Sequence, residues 1–61
     1  MNKVFIKSRN GELKTVEKIQ NLNVSYYGTN SVIIVGENFN AKSLRVFMGD
    51  GGFLEIGHDF R

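Results

Sequence analysis

The sequence predicts an all-β chain, an N-terminal hairpin or cap followed by the first coils of a parallel β-helix, on three observations. Short runs of β-branched and aromatic residues recur along the 61 residues, and the punctuation between them is Gly and Asn, with no proline anywhere. The stretch 27–40 repeats in pattern as 48–61, at an offset of 21 residues and without a gap. In that alignment Gly28 falls on Gly49, Ile33 on Leu54, Val35 on Ile56, Gly36 on Gly57, Asn38 on Asp59 and Phe39 on Phe60. Stacked coils place equivalent residues of successive turns about 4.8 Å apart, so like sits upon like at a fixed period. A small antiparallel barrel or sandwich is the alternative that strand spacing alone allows, but it gives no reason for residue types to repeat through fourteen positions.

The elements follow in order. Residues 3–7 form a β-prone run, and Asn10-Gly11 after it is the strongest two-residue signal for a type I′ hairpin turn. Leu13, Thr15 and Val16 then return as the partner strand. Val16, Ile19 and Leu22 stand three apart, which fits either one helical or 3₁₀ turn or an irregular link, and Asn21 and Asn23 favour an ending there. Four strands are expected beyond, at 24–26, 32–35, 44–48 and 53–56. They are ended by Gly28-Thr29-Asn30, Gly36-Glu37-Asn38, Gly49-Asp50-Gly51-Gly52 and Gly57. Residues 1–22 thus read as an N-terminal cap or hairpin and 23–61 as two coils. Because the second unit runs to the final residue, the chain reads as the start of a longer solenoid.

Size and composition bound the rest. A chain of 61 residues lies near the lower limit for a self-sufficient core, and without cysteine it has neither disulfides nor thiolate metal sites to supplement one. Oligomerisation or further coils are the remaining stabilisers. A hydrophobic content of 41%, with five Phe and two Tyr, argues against intrinsic disorder. Eight Lys and Arg against six Asp and Glu leave a net charge of only +2, and the N-terminal lysines are interrupted by Glu12 and Glu17. That pattern is a solvated face rather than a nucleic-acid stripe, so no nucleic-acid partner is expected. No window approaches the roughly 20 apolar residues of a membrane span, and the N-terminus lacks a signal-peptide core, so the expected location is cytoplasmic.

The stretch 30–40, Asn30-Ser31-Val32-Ile33-Ile34-Val35-Gly36-Glu37-Asn38-Phe39-Asn40, resembles the N-x-x-I-x-I-G-x-N coils of hexapeptide-repeat acyltransferases, the left-handed β-helix enzymes. Residues 53–60 repeat the form, and 40–50 are similar to the irregular first coils of bacterial sugar O-acetyltransferases. The resemblance covers about residues 22–61. A regular coil of the family is three hexapeptides, about 18 residues, and the spacing here is 21, which leaves the handedness open. The resemblance implies a trimeric parent that moves an acetyl group from acetyl-CoA to a hydroxyl of a sugar or cell-surface polysaccharide precursor. Its first coils would cap the helix and support trimer assembly, with no cofactor bound in this segment. The alternative is a stand-alone β-module that binds a partner and catalyses nothing.

Candidate site residues are few. In the resembled family a His acts as general base on the acceptor hydroxyl, and His58 is the only histidine of the chain. It holds the position that Glu37 holds in the preceding unit, which points to a solvent-facing corner rather than to catalysis. Asp59 beside it does not make a dyad, because neighbouring residues at a strand end point opposite ways; its match with Asn38 points to a corner role. Asp50 lies among Gly49, Gly51 and Gly52 but lacks the Lys and Ser/Thr of a phosphate loop, so it reads as a tight turn. One His and scattered carboxylates offer no metal-ligand spacing. Tyr26, Tyr27, Phe39, Phe47, Phe53 and Phe60 are expected to fill a core edge or subunit interface, with a stacking platform for sugar or RNA as the rival reading.

Overall fold

The computed structural model describes residues 1–61 as six strands without a helix: β1 (Lys3–Lys7), β2 (Leu13–Val16), β3 (Leu22–Tyr26), β4 (Val32–Gly36), β5 (Leu44–Met48) and β6 (Phe53–Ile56). They form a four-stranded sheet in the order β2-β1-β4-β6 and a two-stranded sheet of β3 and β5. From β3 onward the chain alternates between the two sheets and returns to each in the same direction. β1, β4 and β6 are therefore parallel neighbours, as are β3 and β5, and only the β1–β2 hairpin is antiparallel. Neither sheet closes on itself, so the barrel alternative does not describe the molecule.

The 21-residue repeat is realised as direct pairing: Ile33 lies opposite Leu54 and Val35 opposite Ile56. One level down, Val4 and Ile6 of β1 lie opposite Ile33 and Val35, so two inward aliphatic columns run through three levels of the sheet. Strand pairing with period two sends these residues to one face and Val32, Ile34, Phe53 and Phe5 to the other. The inward columns meet Leu22 of β3 and Met48 of β5, and Val4, Leu22, Ile33, Val35, Met48 and Ile56 form one core cluster. The core is small: only nine residues of the chain are buried. β1 belongs to the hairpin and to the stack alike.

Two expectations are corrected in detail, and one open alternative is decided. The hairpin turn is not the two-residue I′ form: Ser8 and Glu12 still pair, Gly11 N–H returns to the Ser8 carbonyl at 2.9 Å, and only Gly11 has positive φ. This is a three-residue loop with the left-handed residue last, a type I turn followed by a bulge. Residues 19–22 form a β-turn, with Leu22 N–H on the Ile19 carbonyl at 3.1 Å and Asn21 at φ 66°, which is the irregular link rather than a helical turn. The offset of 21 holds from Val32 onward, but β3 pairs with β5 at an offset of 22, because five residues connect β3 to β4 and four connect β5 to β6. Gly28 consequently lies over Asp50 rather than Gly49; a Cβ on Gly28 would stand 2.5 Å from Asp50 Cα. The left-handed corner residues are Asn38 and Asp59, at φ 62° and 61°.

Candidate functional site

The densest cluster of chemically capable side chains lies at the corner after β1, β4 and β6, where Arg9, Glu37, Asn38, His58 and Asp59 stand in two columns. The corner turns because Asn38 and Asp59 accept the left-handed conformation that most side chains avoid. Stacking then superposes them: Asp59 N–H reaches the Glu37 carbonyl at 2.8 Å, Asn40 N–H the Phe60 carbonyl at 2.8 Å, and the Phe39 and Phe60 rings stack at 5.5 Å and 9°. Gly36 is required here for space, since a Cβ would meet His58 N at 2.5 Å.

The polar groups of this corner are engaged with one another. Asn38 Nδ2 donates to Asp59 Oδ1 at 3.0 Å, and Arg9 Nη2, reaching across from the hairpin loop, donates to the same oxygen at 2.6 Å. Arg9 N–H donates to Glu37 Oε2 at 2.7 Å. The hydrogen bond from Asn38, then that from Arg9 and its positive charge, hold the Asp59 carboxyl below its ordinary value. Glu37 N–H donates to His58 Nδ1 at 2.9 Å. A ring nitrogen that accepts is unprotonated, so the proton of the neutral imidazole sits on Nε2. A general base needs a free lone pair, and while this bond stands His58 offers none: one nitrogen accepts from the backbone and the other bears the proton. No hydrogen bond joins His58 to Asp59.

The glycine-rich turn is equally self-contained. Gly52 N–H closes on the Gly49 carbonyl at 3.0 Å with Gly51 at φ 74°, a turn of the type II kind. Asp50 Oδ1 accepts from Thr29 N–H at 3.1 Å and from Asn30 Nδ2 at 3.4 Å, which ties this loop to the one beneath it. Below that, Asn2 Oδ1 accepts from Ser31 N–H at 3.0 Å and from Ser31 Oγ at 2.6 Å. Polar side chains therefore act as inter-level ties at both ends of the strands. No three His, Asp or Glu residues come together in a metal-ligand group.

The aromatic residues do not form one platform. Phe39 and Phe60 stack on each other at the corner. Phe53 stands 63% exposed on the outer face of the four-stranded sheet. Tyr26 borders a groove of about 510 Å³ at the first end of the stack, lined also by Met1, Val4, Phe5 and Val16. Tyr27 and Phe47 pair on the outer face of the two-stranded sheet, centroids 6.0 Å apart and planes 26° from parallel. That pair is not legible as a pair in the sequence, since it depends on the β3–β5 register. No protein-family model matches this chain, and neither a curated protein nor a solved structure matches it significantly.

Proposed function

We propose that these residues form the first coils of a left-handed β-helix acyltransferase of the hexapeptide-repeat kind, which transfers acetyl from acetyl-CoA to a hydroxyl of a sugar or polysaccharide precursor. The observation that carries the reading is the parallel register of β4 and β6, with aliphatic upon aliphatic at the resembled I-x-I-G positions and left-handed Asn upon left-handed Asp at the corner. In this reading the segment is scaffold. The hairpin covers one edge of the four-stranded sheet, and the outer face bearing Phe5, Val32, Ile34 and Phe53 packs against other copies in a trimer. The acid–base work falls to residues other than His58, whose ring is committed to the corner. The test is transfer of radiolabelled acetyl from acetyl-CoA to a panel of sugar acceptors by the protein that carries this sequence. Transfer that survives His58→Ala supports the reading; no transfer to any acceptor, or an experimental structure with right-handed coils, removes it. A binding module without catalysis then takes its place, and the exposed Tyr27–Phe47 pair is the observation on its side.

A further inference from the structure

The two sheets present outer faces of different chemistry. On the four-stranded sheet the outward residues include Phe5, Val32, Ile34 and Phe53, together with Lys3 and the Lys7–Glu55 ion pair. On the two-stranded sheet the inward residues are Leu22, Val24, Leu44, Val46 and Met48, and alternation leaves Asn23, Ser25, Arg45 and Phe47 outward. Tyr27 continues the outward row one step past β3, held there by its N–H on the Met48 carbonyl at 2.8 Å. This face carries no aliphatic side chain.

Its geometry is fixed by the register. Asn23 lies opposite Arg45 and Ser25 opposite Phe47, so the aromatic pair stands beside an amide, a hydroxyl and a guanidinium on one rigid ladder. Tyr27 is 73% and Phe47 64% exposed although they touch. Arg45 is the one charged residue in either strand, and it has no acidic partner, unlike Lys7 and Arg9, which pair with Glu55, Glu37 and Asp59. Along this face Arg45 stands one step from Phe47 and two from Tyr27, a cation without an ion pair, as Lys3, Lys14, Lys18, Lys42 and Arg61 also are.

We infer that this face binds an acidic oligosaccharide, with Tyr27 and Phe47 as stacking surfaces and Arg45 as the carboxylate clamp. The C–H-rich face of a pyranose carries partial positive charge and settles on the electron-rich face of an aromatic ring. A guanidinium takes a uronate carboxylate through two parallel hydrogen bonds. Asn23 and Ser25 supply the donors and acceptors that ring hydroxyls need. A nucleic acid fits less well, since tracking a phosphate backbone takes several cations and these strands hold one. The assignment does not depend on acyl transfer, because stacking and ion pairing need no catalysis.

The experiment is a heteronuclear NMR titration of the full chain with penta-galacturonate, the neutral pentasaccharide cellopentaose and the oligonucleotide dT10. The expected result is saturable shifts at Tyr27, Phe47 and Arg45 with penta-galacturonate and weaker binding of cellopentaose. Tyr27→Ala and Phe47→Ala should each weaken binding at least tenfold, and Arg45→Gln should remove the preference for the acidic sugar. Lys14→Gln, which removes an exposed cation of the other sheet, should leave binding unchanged. All four positions are exposed, so the variants keep the wild-type spectrum elsewhere. Absence of shifts with either sugar, equal binding of both sugars by the wild type, or tighter binding of dT10 through the same residues overturns the assignment. So does light scattering that shows Tyr27→Ala dissociating an oligomer, since the face would then be a subunit contact.

Discussion

Gly36 and Gly57 occupy equivalent positions of successive levels, yet their surroundings differ completely. A Cβ on Gly36 would sit 2.5 Å from His58 N and 2.7 Å from Gly57 C, backbone atoms that cannot step aside, while one on Gly57 meets nothing within 4 Å. Gly36→Ala should therefore destabilise the fold by about 1–3 kcal/mol or more in urea unfolding, and Gly57→Ala by less than about 0.5 kcal/mol. Equal effects would show that the levels are not stacked as described. The Asp59 carboxyl gives a second prediction at this scale. Its folded pKa lies below the ordinary 3.8, so its contribution is complete above about that value and is lost as pH falls through the lower folded value. Asp59→Asn keeps a residue that tolerates the left-handed corner, as Asn38 does, and removes only the charge that Arg9 holds. The stability gap between wild type and Asp59→Asn should be constant near neutrality and close below about pH 4, measured by unfolding at a series of pH values. Since the carboxyl is exposed, the gap is small at high salt. For His58, nitrogen chemical shifts should report the Nε2–H tautomer; the opposite tautomer would mean that the Glu37 N–H bond does not exist.

At the level of strands and corners, what the sequence disclosed depended on whether like residues stack at one constant offset. Where β4 and β6 pair at 21 residues, side chains repeat in kind, and the pairing of Ile33 with Leu54 and Val35 with Ile56 is legible from residue type alone. β1 joins the same columns at an offset of 29, because the hairpin intervenes between the first and second levels. Likeness survives there only in the inward pairs, Val4 on Ile33 and Ile6 on Val35, while Lys3 faces Val32 and Lys7 faces Gly36. The β3–β5 pairing also stacks like on like, Leu22 on Leu44 and Val24 on Val46, but one extra residue in the 27–31 loop shifts its offset to 22 and hides it from a period of 21. The corner cluster is half legible, in that Asn38 over Asp59 follows from the repeat. The reach of Arg9 to Asp59, across 50 positions of sequence, does not, since it needs the folded hairpin loop. The columns make a quantitative claim. Ile33 is fully buried at the centre of three levels, and truncation to Ala should cost about 2–5 kcal/mol. Val32, its outward neighbour, should cost less than about 1 kcal/mol on the same change. Chemical denaturation of both variants tests whether the inward and outward rows are assigned correctly.

The molecule as a whole has more sheet surface than core. At about 0.05–0.15 kcal/mol per residue, a chain of this length holds roughly 3–9 kcal/mol, so an apolar face left in water is a large fraction of what stability is on offer. Phe5, Val32, Ile34 and Phe53 form the apolar part of one such face, beside Lys3 and the Lys7–Glu55 ion pair, and fully burying a side chain of this size contributes about 1.5–3 kcal/mol. A neighbouring copy would remove that surface from water without any new element in the chain. It would cover the face furthest from the polar Asn23–Arg45 side and leave that side open. Sedimentation velocity should accordingly show association that grows with protein concentration. Phe53→Lys, which sets a second cation in the row of Lys3, should shift the protein to monomer while leaving the circular dichroism spectrum unchanged. Phe47→Ala on the opposite face should leave association as it is. If Phe47→Ala disperses the assembly and Phe53→Lys does not, the two faces exchange roles, and both the trimer contact proposed for the four-stranded sheet and the saccharide site proposed for the other are lost together.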